Sequence, residues 1–138
     1  MIQGITVLYD ERCGFCCRSA RWLSTQPRLI HLECIARGHP AVYDLFPGLP
    51  PRSRAELTVV DDEGGVYVGD DAWLVTMWAL LDWRLWSYRL ARPALRPFAH
   101  VFFSLLSVLR HGVNALAGLR GEELPACEGD ACRREANA

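Results

Sequence analysis

The chain has no lysine; every one of its 15 basic residues is an arginine. That skew reflects a coding bias towards Arg and assigns no function. It also has no excess of positive charge. The formal net charge is -1, which argues against a nucleic-acid partner bound by phosphate neutralisation. Long apolar runs are missing too. The longest, Phe98 to Leu109, covers 12 residues and contains His100, well short of the roughly 20 that a membrane-spanning helix needs. The opening MIQGITVLYD reads as a strand; no charged segment leads into an apolar run there. The expectation is therefore a cytoplasmic protein with no transmembrane span. Structural disulfides are rare in that compartment, so paired cysteines there point to catalysis or metal binding. There is no internal repeat.

What is present suffices for one ordinary domain: 138 residues, 51% hydrophobic and 22% charged, enough apolar material for a core. Ile2 to Tyr9 is rich in β-branched and apolar residues and reads as a buried strand. Gly14 to Ser24 suits a helix that stops before Pro27. From Arg28 to Cys34, Ile30, Leu32 and Cys34 alternate with His31 and Glu33, a period-two strand. Residues 36 to 54 are rich in Pro and Gly and read as loop, with one helical turn at Ala41 to Phe46. Glu56 to Val60 and Val66 to Val68 flank the turn DDEGG as a hairpin. Asp70 or Asp71 caps a helix running to about Asp82. The order is βαβ, loop, ββα, an α/β fold with a small mixed sheet. After Trp83 to Arg92, a helix spans about Pro93 to Leu116. On it Phe98, Phe102, Leu105, Leu106 and Leu109 share one face, and such a stripe is expected to turn inwards. Residues 1–118 are expected to form one domain, with C-terminal helices from about residue 84. Residues 119–138 are expected to be a polar, loose tail.

The stretch YDERCGFCCRSARWL carries the chemistry. Cys13 falls where the first helix should begin, and a helix N-terminus offers unpartnered N–H groups and a partial positive charge. That field favours the thiolate, the reactive form of Cys. Cys16 is one turn further on, so both sulfurs can lie on one side. The pair suits disulfide exchange, Cys13 attacking and Cys16 resolving. The alternatives are two buried thiols or half of a metal site. Asp10 either accepts the proton of Cys16 during exchange or holds the turn by accepting backbone N–H groups. Arg12 either adds charge beside Cys13 or is solvated. Cys17 either competes as a resolving thiol or packs beneath the helix, as buried Cys usually does. Cys34 reads as core.

Asp10, Cys13 and Cys16 form DxxCxxC, and with LTVVDDEGGVYVGDDAWLVTMWAL further on the chain resembles the thiol-disulfide oxidoreductase DCC family over roughly residues 4 to 110. The resemblance implies a thioredoxin-like fold with Cys13 and Cys16 as the redox-active pair, no cofactor, and a protein or small-molecule thiol or disulfide as partner. The chain departs from the pattern in three places. Glu11 stands where members often have Gly. Gly14-Phe15, without Pro, fills the motif. Arg54-Ala55-Glu56 precedes the third strand, where a thioredoxin carries a proline.

Two further readings compete. Cys127 and Cys132, in PACEGDAC, can pass electrons to the first pair, or join Cys13 and Cys16 around one Zn²⁺ or a cluster; the plainer reading is two exposed thiols. Alternatively the fold is a non-catalytic interaction scaffold. Trp73, Trp78, Trp83, Trp86 and Tyr88 leave at least one aromatic exposed, and with the later helix they suggest a homodimer or a membrane-surface contact. His31, His39, His100 and His111 show no ligand spacing.

Overall fold

The structure is a computed structural model and describes residues 1–49 and 57–116. Four strands form one sheet in the order β2-β1-β3-β4. They are β1 (Gly4–Tyr9), β2 (His31–Ala36), β3 (Thr58–Asp61) and β4 (Val66–Val68). The helices are α1 (Gly14–Thr25), α2 (Ala41–Leu45), α3 (Asp70–Ala79), α4 (Arg84–Leu90) and α5 (Arg96–Leu116). β1 pairs in parallel with β2 and antiparallel with β3. β3 and β4 close the expected hairpin. This is the expected α/β, thioredoxin-like mixed sheet with added C-terminal helices.

Period two explains how β1 serves both faces of the sheet. Ile5, Val7 and Tyr9 join the larger core, together with Cys17, Ala20 and Leu23 of α1 and Ala72 and Ala79 of α3. Leu8 points the other way, towards Ile35, Val60 and Val42 of α2. β1 is therefore central and covered on both sides, and its carboxyl end delivers the chain to the start of α1. At the hairpin, Asp61 accepts N–H groups from Glu63 at 3.0 Å and Gly65 at 2.6 Å. Gly64 takes a φ of 90° there, a left-handed conformation that favours glycine.

Several boundaries differ from the sequence reading. β2 begins at His31, not Arg28, because its register is set by Gly4 opposite His31 and Tyr9 opposite Ala36. Arg28 instead bridges Leu80, and the Leu29 N–H donates to the Ala79 carbonyl at 2.9 Å. The same contacts stop α3 at Ala79, three residues before Asp82, with Leu80 extended. β3 starts at Thr58 and runs to Asp61; Glu56 lies outside the described residues, as do Cys127 and Cys132 and the tail.

The largest correction concerns α5. Of its expected inward stripe only Leu106 packs on the core; Phe98 is 71% exposed and Phe102 56%, and Leu105 and Leu109 are exposed as well. Ala99 and Phe103 are buried instead, with Leu106 half-buried beside them. They pack on α3, where Trp73 and Phe103 stack at 5.6 Å between ring centroids. Apolar residues occupy more than one face of this helix, so its periodicity did not identify the inward one. Ala99 lets the helix approach closely where Phe98 would hold it off. Trp83, Trp86 and Tyr88 are all exposed.

Candidate functional site

α1 starts at the carboxyl end of β1, after a tight turn through Asp10, Glu11 and Arg12. The Cys13 N–H donates to the Asp10 carbonyl at 3.1 Å, and the Asp10 carboxylate accepts the Arg12 N–H at 3.0 Å. Asp10 thus holds the turn, as one of its two readings required. Glu11 accepts the Gly38 N–H at 3.2 Å. That bond ties the turn to the loop after β2. Arg12 is exposed.

Cys13 is itself the N-cap of α1. Its Sγ accepts the Cys16 N–H at 3.2 Å, in the place a Ser or Asp oxygen usually takes. The backbone donor and the helix field both favour negative charge on this sulfur. Cys16 responds in the opposite sense. Its thiol is pushed well above the usual Cys range, first by its hydrogen bond to the Cys13 sulfur, then by burial and by the Cys13 charge. The Cys13 sulfur, through its hydrogen bond and any charge on it, thus opposes ionisation of Cys16. Arg110 of α5 opposes that rise: its Nη1 donates to Cys16 Sγ at 3.3 Å.

A cavity of about 210 Å³ opens beside Cys16, under α5. Asp10, Cys16, Arg37 and Arg110 line its polar side, and Phe15, Trp22, Trp73 and Leu106 line its apolar side. Arg37 also donates to Thr58 Oγ1 at 2.7 Å. Asp10 thus shares the cavity with Cys16 while holding the turn. Cys13 is only 6% exposed; Cys16 is half-buried.

Cys17 has no share in this cavity. It is fully buried in the larger core, and its thiol points to the carbonyls of Asp10 and Glu11 at 3.9 and 3.6 Å. Cys34 is also core, donating to the Ala20 carbonyl at 3.7 Å. Both are buried among the side chains of the larger core. Among the described residues, no group of three or more His, Cys, Asp or Glu side chains is placed to hold a metal. His31 is exposed on its strand, and His100 pairs with Asp70.

Arg110 and Arg37 were not singled out from sequence. Arg37 follows an apolar strand and looks like any loop cation. Arg110 had one signal: it follows Ala99, Phe103 and Leu106 at helical spacing, a lone cation on the face that packs. That signal becomes readable only once the inward face is known.

A family model described as DCC1-like thiol-disulfide oxidoreductase matches residues 7–115. No curated protein and no solved structure matches the chain.

Proposed function

We propose, since the chain belongs to the DCC1-like thiol-disulfide oxidoreductase family, that it exchanges disulfides through Cys13 and Cys16. Cys13 attacks. Its thiolate takes one sulfur of a partner disulfide, forming a mixed disulfide and expelling the other sulfur as a thiolate, which is then protonated. Cys16 then attacks Cys13 Sγ, the Cys13–Cys16 disulfide forms, and the second partner thiol leaves. Two electrons pass from the protein dithiol to the partner; the reverse sequence oxidises a partner dithiol.

The hydrogen bond from the Cys16 N–H to Cys13 Sγ carries this reading. The order of events follows from charge. In the resting site Cys13 keeps the proton on Cys16. Once Cys13 is bound in a mixed disulfide, its charge is gone, and the first cause of that retention goes with it. Arg110 then favours the Cys16 thiolate, and Asp10, in the same cavity, is the proton acceptor. The resolving thiol is thus silent until it is needed.

Charge and access rank the two sulfurs differently, and charge decides which attacks, because the thiolate is the reactive form. Alkylation of the reduced protein with limiting iodoacetamide at neutral pH, mapped by mass spectrometry, is expected to label Cys13 first. If Cys16 is labelled first, the roles are reversed; if neither outpaces an ordinary thiol, the pair is not a redox centre. The potential of the pair gives the direction: near about -270 mV it is a reductant, near about -120 mV an oxidant. The cytoplasm suits a chain that keeps Cys17 and Cys34 as thiols in its core.

A further inference from the structure

α5 is amphipathic in an unusual sense: one side packs on the protein and the opposite side is both apolar and exposed. Phe98, Phe102, Leu105, Val108, Leu109 and Leu116 all stand in solvent. With Val101 and Val113 they cover roughly 140° of the helix circumference at about 100° per residue. No polar side chain interrupts that arc. α4, the helix before it, also exposes Leu85, Trp86 and Tyr88. A monomer rarely leaves so continuous an apolar surface uncovered without a use for it.

The charge on this segment is one-sided. Between Trp83 and Leu116 there are five arginines, at 84, 89, 92, 96 and 110, and no Asp or Glu. Arg110 turns inwards to Cys16, and Arg96 pairs with Asp71 at 2.6 Å. Arg89 and Arg92 are exposed, and Arg89 lies over the Trp86 ring at 5.3 Å. No helix among the described residues is long and apolar enough to cross a membrane. An apolar face of bulky residues, in a segment that also exposes aromatics and arginine and carries no carboxylate, suits the surface of an anionic bilayer.

We propose that α4 and α5 dock this protein on an anionic phospholipid surface. Phe98, Phe102 and Leu105 enter the headgroup boundary, and Arg89 and Arg92 meet the phosphates. A second copy of the chain fits less well. It would bring like-charged arginines together, and this segment has no carboxylate to answer them. Docked this way, α5 lies between the bilayer and the cavity beside Cys16, with Arg110 on the side away from the lipid. The inference stands on exposure and charge and does not depend on the redox reading.

Co-sedimentation of the full chain with vesicles tests it. Vesicles of equimolar phosphatidylcholine and phosphatidylglycerol are expected to bind the protein, and phosphatidylcholine alone at least about tenfold more weakly. Phe102→Glu with Leu105→Glu should abolish binding, and both sites are exposed, so far-UV circular dichroism should be unchanged. Arg89→Gln and Arg92→Gln should each weaken binding about fivefold and flatten its salt dependence. Equal binding to both vesicles, or no binding to either, overturns the proposal. Concentration-dependent self-association that Phe102→Glu removes, without vesicle binding, identifies a copy–copy interface and overturns it too.

Discussion

Cys16 and Cys17 are neighbours in the chain and sit on the same turn of α1, yet one lines a cavity and the other is sealed in the core. Their chemistry is identical; their surroundings are not. Successive helical positions are rotated by roughly 100°. That rotation carries Cys16 towards Arg110 and the cavity, and Cys17 towards the sheet. Which thiol meets the cavity is therefore decided by where α1 rests on the sheet and where α5 rests on α1.

The sharpest way to break this contrast is to remove each sulfur in turn. Cys13→Ser should lower turnover of a disulfide substrate at least about a thousandfold, and Cys16→Ser should trap the mixed disulfide. Cys17→Ala should leave turnover within about twofold of the parent. A comparable loss from Cys17→Ala would make Cys17 part of the redox centre. On stability the order reverses. Cys17→Ala empties a fully buried site and should cost about 1–2 kcal/mol in urea unfolding, whereas Cys16→Ala, at a half-buried position beside a cavity, should cost less.

A smaller effect separates the two sulfurs by their electrostatic partners. Arg110→Gln removes the cation at Cys16 and should slow the resolving step roughly tenfold, lengthening the life of the mixed disulfide. Attack by Cys13 should be little affected. Lys at this position should restore part of the rate, since it returns the charge without the fork. A uniform slowing of both steps would assign Arg110 to holding α5 in place.

The smallest effect is in pH dependence. The folded protein holds the Cys16 proton above the usual Cys range, so it binds more protons than the unfolded chain once pH passes the unfolded value, about 8.5. Stability of the reduced protein should therefore be fully present below that pH and fall above it, by at most about 1.4 kcal/mol per pH unit. Cys16→Ala should lack this share of the slope, whereas Cys17→Ala should retain it. Parallel curves for parent and Cys16→Ala in chemical unfolding would remove the coupling between the sulfurs.

The site was half legible in the sequence. DxxCxxC put Cys13 at the helix start, and the structure makes it the N-cap. The other half, Arg110, lies 94 residues from Cys16, and no local pattern spans that distance. The same holds for the fold. β4 was legible to the residue because a glycine turn and alternation are local signals. The start of β2 and the end of α3 were missed because a long-range bridge, Arg28 to Leu80, lies between them and takes up the residues next to both. α4 and α5 were legible as helices, but not the direction α5 faces, since it has apolar residues on opposing sides.

The sequence alone determined the element order, the CxxC pair at a helix start and the one-sided charge after Trp83, because each depends on spacing or composition within a short stretch. Tertiary structure decided which neighbouring thiol meets the cavity, which cation meets that thiol and which face of α5 stays in solvent. Those outcomes depend on how a helix is rotated against its neighbours, and packing over the whole core sets that rotation.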